Sequence, residues 1–138
     1  MNNNEVMAYL TRKLEIIEKI NTNTETQRRF VRRREMRGLN RLLRERAVLI
    51  DELVAVNGKL KSDPGWKNLN EFKAMVQTIE TRQKETLDAC DQVLQEALAE
   101  HRLIAAELCN IKALRQLKNR YVRQWTVMAL GHRFSAEG

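Results

Sequence analysis

The chain has 138 residues, of which 43% are hydrophobic and 31% charged, with five glycines, one proline and a net charge of +7. This length suits one domain of ordinary size. So few turn-forming residues disfavour all-β and α/β folds, which need many positions of positive or fixed φ. No apolar run approaches the ~20 residues that a transmembrane helix requires. We therefore expect a single all-α domain without membrane insertion.

The N-terminal segment MNNNEVMAYL lacks a basic stretch followed by an apolar core, so we expect no secretory signal and a cytoplasmic location. Cys90 and Cys109 lie far apart and form no cluster with His101 or His132, so we predict no metal site and expect free thiols that are at least partly buried. The chain has no glycine-rich phosphate loop and no hydrolase or metalloprotease motif. We expect no cofactor and no enzymatic activity.

Apolar residues recur at helical spacing in the first half of the chain, from Val6 to Ile20 and again from Leu39 to Leu60. The polar residues 21–26 between these segments weaken a helix, because their side chains compete for backbone hydrogen bonds. Gly38 is a second soft point. The sequence allows one bent helix over about 5–60, with a possible break at 21–26, or two shorter helices; we favour the bent helix.

A single sharp turn is predicted at 61–67, where Asp63, Pro64 and Gly65 follow one another. A second helix is predicted over about 68–130, with Asn68 as N-cap and Glu71 able to complete a capping box, followed by a tail at 131–138. The expected architecture is a long antiparallel helical hairpin resembling a coiled coil. It contains three helices if the first one breaks.

The second helix shows two apolar stripes when 100° is counted per residue. The first stripe is predicted to face the first helix and to contain Phe72, Val76, Ile79, Cys90, Leu94, Ala97, Ile104, Leu108 and Ile111. Beyond Ile111 the apolar residues turn by about a third of a circle. They form a second stripe, which we interpret as a binding surface for a helix of another protein: Leu114, Leu117, Tyr121, Trp125 and Met128. The alternative is packing of this stripe against Val6, Met7 and Leu10 of the same chain. A bare hairpin also leaves other apolar surface exposed, which a homodimer, a folded-back third helix or a client protein would cover.

The positive charge is concentrated in residues 28–46, which hold nine arginines and two glutamates. On a continuous helix, five of them would form a basic docking stripe opposite the apolar face: Arg33, Arg34, Arg37, Arg41 and Arg44. Such a stripe suits phosphates or an acidic protein surface, and it is also typical of a solvated helix face. We place a protein partner before nucleic acid, because only Phe30 is close enough to stack on a base.

Residues 39–53, LNRLLRERAVLIDEL, resemble the helix L-x-x-L-L-x-E-R-x-x-L-I-x-E-L of flagellar export chaperones of the FlgN and FliT kind, and the tail GHRFSAEG is similar to the FlgN branch. The resemblance implies a cytosolic, ATP-independent chaperone. Its client would be the amphipathic C-terminal helix of a hook–filament junction or filament-cap subunit, which it hands to the export apparatus. The client site of that family corresponds to the second stripe. The arginine run departs from the family pattern, and the alternative is an arginine-rich nucleic-acid-binding or structural coiled-coil protein.

Overall fold

The computed structural model describes the backbone of residues 1–137 and the side chains of residues 1–120 and 122–124. It confirms an all-α fold with α1 at Asn3–Arg33, α2 at Met36–Ser62, a short 3-10 helix at Pro64–Asn68 and α3 at Asn70–Glu137. No helix in this described part is apolar enough over a sufficient length to cross a membrane. The chain divides into two compact units, Met1–Glu100 and His101–Gly138.

Helix α1 continues through residues 21–26, where we predicted a possible break. The threonine side chains do not compete with the helix here, because they bond to carbonyl groups one turn earlier: Thr24 Oγ1 donates to the Ile20 carbonyl at 2.8 Å and Thr26 Oγ1 to the Thr22 carbonyl at 2.9 Å. These bonds leave the helical backbone pattern intact. The polar stretch is therefore a part of α1 and not a boundary.

The break in the first half lies instead at Arg34, which adopts the left-handed conformation with φ 57° and ψ 34°. The Arg34 N–H donates to the Val31 carbonyl and the Glu35 N–H to the Phe30 carbonyl, which closes the end of α1 in a Schellman-type pair. Gly38 supports this turn through its small size, because a Cβ there would lie 3.1 Å from the Phe30 ring. The chain folds back, and the three-helix alternative replaces the favoured bent helix.

The pairing of side chains gives the directions of the three helices in the Met1–Glu100 unit. Across α1 and α2, Arg12 pairs with Glu52 and Asn23 with Leu42, so later residues of one helix meet earlier residues of the other. Across α1 and α3, the separation in sequence between contacting residues stays nearly constant, at 64 to 66 positions in the pairs Glu18 with Arg82, Thr24 with Cys90 and Arg32 with Glu96. Helix α2 is therefore antiparallel to α1, and α3 runs parallel to it.

The turn between α2 and α3 lies where the Asp-Pro-Gly sequence predicts it. Helix α3 begins at Asn70, and Asn68, the predicted N-cap, belongs to the 3-10 helix. Trp66 anchors this turn: its Nε1 donates to the Leu60 carbonyl at 2.9 Å and its ring meets Phe72 edge-on at 6.2 Å. Around this pair lies the apolar core, formed by Val6, Leu10, Ile17, Leu60, Trp66, Phe72 and Ile79.

The face that α3 buries differs from the predicted first stripe as the helix proceeds. Val93 is 4% exposed, whereas Leu94, which we placed on the core face, is 57% exposed; Leu108 and Ile111 are exposed as well. Four of the buried positions lie seven residues apart, namely Phe72, Ile79, Thr86 and Val93, and Cys90, which the predicted stripe did include, is buried between the last two of them. A count of 100° per residue drifts by about 20° per heptad from such a repeat, so the predicted face rotates away from the real one.

Candidate functional site

The predicted client-binding stripe lies on the part of α3 that follows His101. Leu114 is 65% exposed and Leu117 64% exposed, which agrees with an open surface at these two positions. The side chains of Tyr121, Trp125 and Met128 lie outside the described residues. Every described side chain from 105 to 120 is exposed, and the apolar ones among them include Leu108 and Ile111. Exposed leucines in series are unusual for a soluble monomer and mark binding surfaces.

The charge of this helical segment indicates the chemistry of a suitable partner. Between 112 and 123 the sequence holds five cationic residues, and no acidic residue occurs from 108 to 136. A helix that packs its apolar residues against Leu114 and Leu117 would therefore be stabilised by carboxylates at the edges of its apolar face. The chemistry of this segment therefore suits an amphipathic helix with acidic flanks.

The alternative that the N-terminus covers the second stripe does not fit the fold of the Met1–Glu100 unit. Val6 is 1% exposed and Leu10 is 2% exposed, and both belong to the core cluster with Leu60 and Phe72. The alternative assumed a two-helix hairpin in which residue 4 stands opposite residue 125. Because α1 runs parallel to α3, its first residues pack at the start of α3 instead.

The five arginines of the predicted basic stripe are all exposed but do not share one helix. Arg33 ends α1 and Arg34 forms the left-handed turn. Arg37, Arg41 and Arg44 follow one another along α2 at spacings of four and three residues, which places them on one face. The predicted continuous stripe is wrong because it required an unbroken helix through residue 34. What remains is an arginine face on α2 beside a basic turn.

Acidic residues of α3 neutralise part of this cluster. Arg32 pairs with Glu96 at 3.2 Å and Arg34 with Glu100 at 2.8 Å. On α2, Arg41 lies 3.8 Å from Glu45, while Arg37 and Arg44 make no ion pair with any described residue. Such exposed pairs contribute little to stability. The guanidinium groups that remain available for an anionic partner are those of the arginine face on α2 and of Arg33, which has no ion pair within the described chain either.

A polar layer crosses the middle of the bundle, and the sequence analysis missed it. Asn23 Nδ2 donates to the Leu42 carbonyl at 3.0 Å, and Gln27 Nε2 donates to Asn23 Oδ1 at 2.6 Å. Thr24 Oγ1 lies 3.3 Å from Cys90 Sγ. The spacing of Ile20, Thr24 and Gln27 by four and three residues is the signal that could have placed these polar residues in the core. Because their groups bond to one another, we assign the layer to packing.

The remaining titratable and metal-binding candidates add no second site. Cys90 is buried and Cys109 is exposed, so the expectation of two partly buried thiols fails for Cys109. The described residues contain no group of three metal-ligating side chains. A hydrogen bond from Arg82 lowers the pKa of Glu18, and burial lowers the pKa of Lys13. Both shifts arise from packing between helices, so the surfaces that offer binding chemistry are the exposed leucines of α3 and the arginine face.

Comparison of the chain with models of protein families, with curated protein sequences and with solved structures found no match in any of the three.

Proposed function

We propose that this protein is an ATP-independent chaperone that binds an amphipathic helix of a client protein through the second stripe of α3. The observation that carries the proposal is the exposure of Leu114 and Leu117 on a helix that has cationic flanks. A bare apolar stripe of this kind is stabilised when another helix covers it, and methionine and aromatic residues in the same stripe suit an adaptable binding surface.

The resemblance of residues 39–53 to flagellar export chaperones supports a specific client. It favours the C-terminal helix of a hook–filament junction or filament-cap subunit, held in the cytoplasm until it is exported. The arginine face on α2, with Arg37 and Arg44 unpaired among the described residues, would then dock an acidic surface of the export apparatus. No cofactor takes part in this proposal, because client binding and release depend on helix packing alone.

The proposal is tested by the binding of synthetic peptides to the full chain. The peptides are the fluorescently labelled C-terminal helices of the hook–filament junction and cap subunits encoded in the same genome. We expect at least one peptide to bind. The double substitution Leu114→Ser with Leu117→Ser should weaken the affinity for this peptide by at least about 30-fold, because two leucines buried on binding contribute at least ~2 kcal/mol. Tyr121→Ala with Trp125→Ala should cost at least as much if these residues are hot spots.

The matched control is Val48→Ser, which removes a side chain with a similar exposed fraction from α2. It should leave peptide affinity unchanged. Circular dichroism of each variant checks that the helices are retained. The absence of binding by every peptide, or an unchanged affinity of both double variants, would exclude the stripe as a client site.

The rival function is nucleic-acid binding by the arginine face, which is favoured by the guanidinium groups of Arg33, Arg37 and Arg44, since none of them makes an ion pair with a described residue. A labelled 20-base-pair duplex serves as probe in a salt titration. Binding through phosphates weakens steeply as the salt concentration rises, whereas a helix held by apolar contacts does not. Tight duplex binding with a steep salt dependence, in the absence of peptide binding, would favour the rival.

A further inference from the structure

The three helices of the Met1–Glu100 unit are buried to very different extents. Helix α1 buries nine residues, among them the adjacent pairs Ile16 with Ile17 and Asn23 with Thr24, whereas α2 buries only Leu42 and Leu60. Adjacent residues on a helix point about 100° apart. Helix α1 is therefore covered on two sides, by α2 and by α3. The sides of α2 and α3 that face away from α1 have no such cover.

These uncovered sides border a groove between α2 and α3. A cavity of about 180 Å³ lies in it, with Gln27 and Val31 of α1 among its lining residues. Leu43 of α2 and Leu94 of α3 line the same cavity, and they are 46% and 57% exposed. The two leucines therefore mark opposite walls of an open apolar groove.

Each wall of the groove continues as a complete coiled-coil seam. On α2 the exposed positions are spaced by four and three residues in alternation: Met36, Asn40, Leu43, Ala47, Ile50 and Val54. On α3 the same spacing gives Leu87, Asp91, Leu94 and Leu98, which are also exposed. Apolar residues at this spacing are the pattern that packs against another helix. Helices α2 and α3 thus carry two seams each, one inside the bundle and one in the groove, which we name the outer seams.

We propose that the outer seams of α2 and α3 form the interface with a second copy of this chain. In such a dimer α2 and α3 of each copy pack on the same two helices of the partner and form a central four-helix layer. The two α1 helices lie on the outside of this layer. This proposal goes beyond client binding, because it involves only the Met1–Glu100 unit. It uses Arg44 of the arginine face, so docking of an acidic surface by the dimer would depend on Arg37 and Arg41.

The charges in and beside the outer seams are self-complementary, as a two-fold interface requires. Arg44 and Asp51 lie seven residues apart on α2, and Lys84 and Asp91 lie seven residues apart on α3. All four side chains are exposed, and none makes an ion pair with another described residue. If the two-fold axis runs along the helices, α2 of one copy packs against α3 of the other, which brings Arg44 near Asp91 and Asp51 near Lys84. An axis across the helices brings α2 against α2, with Arg44 near Asp51.

The extent of the outer seams matches that of a stable interface. From Met36 to Val54 the outer seam of α2 is about 27 Å long at 1.5 Å per residue. Seven large apolar side chains of the two outer seams are each about half exposed. Together they amount to roughly 600 Å² per copy, which with their polar flanks reaches the ~800 Å² per partner of stable complexes. An apolar patch of this area lies at the upper end of what monomers expose, where such patches are often binding surfaces, and a second copy would cover it.

Sedimentation velocity of the full chain at about 1 to 100 µM tests the proposal. The expected species has twice the chain mass of 16.2 kDa. Leu43→Asp with Leu94→Asp should weaken dimerisation at least about 100-fold, because four charges enter the apolar interface. Both leucines are half exposed in one copy, so helicity by circular dichroism should not change. Val48→Asp, a similarly exposed position of α2 outside the outer seam, should leave the dimer intact.

A charge exchange tests the geometry without altering the apolar residues. Arg44→Asp should weaken the dimer at least about 5-fold. Adding Asp91→Arg should restore it if α2 meets α3 of the partner, and adding Asp51→Arg should restore it if α2 meets α2. The proposal is overturned if the wild type is a monomer at 100 µM, which would leave the groove to a different protein. It is equally overturned if Leu43→Asp with Leu94→Asp leaves the dimer unchanged, or if neither added substitution restores the Arg44→Asp variant.

Discussion

The buried amide of Asn23 joins α1 to α2, and its removal tests how the polar layer contributes to stability. Its Nδ2 donates to the Leu42 carbonyl at 3.0 Å, and its Oδ1 accepts a hydrogen bond from Gln27 Nε2 at 2.6 Å. The Asn23 and Gln27 side chains are both less than a tenth exposed. The substitution Asn23→Ala therefore leaves the Gln27 amide buried without this acceptor.

The cost of this substitution follows from its two consequences. A buried donor that loses its acceptor costs about 1–3 kcal/mol, and the lost packing adds on the order of 1 kcal/mol. We expect Asn23→Ala to lower the free energy of unfolding by about 2–4 kcal/mol. The double substitution Asn23→Leu with Gln27→Leu removes both polar groups and keeps similar volumes. It should lie within about 1 kcal/mol of the wild type.

Urea unfolding followed by far-ultraviolet circular dichroism at pH 7 measures these differences. Asn40→Ala removes the same amide from an exposed position of α2 and should change the free energy of unfolding by less than about 0.5 kcal/mol. Our reasoning is refuted if Asn23→Ala behaves like Asn40→Ala. It is also refuted if the double leucine variant is as unstable as Asn23→Ala, because the loss would then not come from the unpaired donor.

Substitutions at three further positions probe the remainder of the bundle. Phe72→Ala should lower the free energy of unfolding in urea by about 3–5 kcal/mol, because the ring is buried against Trp66, and Phe72→Leu should lose much less. Glu18→Gln should destabilise the protein at pH 7 but not well below pH 4.5: Arg82 lowers the folded pKa of Glu18 below its ordinary value of 4.5, so this stabilisation is lost as the pH falls through the folded pKa. Lys13→Met should raise Tm at pH 7, because burial lowers the pKa of Lys13 and so disfavours its charged form in the folded protein. The gain in Tm should shrink as the pH rises from the folded pKa of Lys13 past its ordinary value of 10.5, and a lower Tm at pH 7 would contradict this prediction.

The composition and the Asp-Pro-Gly turn were sufficient to predict the all-α class and the end of α2. The break at Arg34 could not be predicted in the same way, because an arginine in the left-handed conformation leaves no sequence signal. Gly38 was the available hint, but its function there is to admit the Phe30 ring, four residues after the turn. The polar residues 21–26 led us to predict a break that does not exist. A buried threonine can donate its hydroxyl hydrogen to a carbonyl of the preceding turn, which leaves the helix intact and free to pack.

The candidate client site was predicted only at the level of which residues are apolar and exposed. Leu114 and Leu117 are exposed as expected, whereas the arginine stripe was divided by a turn that the sequence did not reveal. The outer seam of α2 was also missed. For the first half of the chain we assumed a single apolar face, so Leu43 and Ile50, which are exposed, were not separated from Leu42, which is buried.

The seven-residue repeat of α3 changes the interpretation of the second stripe. Counted by heptads instead of by 100° steps, the buried positions Ile79, Thr86 and Val93 share one phase with Leu114, Tyr121 and Met128 in the sequence. The apparent rotation of the apolar face after Ile111 then largely disappears. Helix α1 packs beside α3 as far as the pair of Arg34 with Glu100, and the repeat in the sequence continues beyond that point. In the sequence the second stripe thus continues one seven-residue repeat, and we expect a client helix with a matching repeat to bind it better than one with irregular apolar anchors.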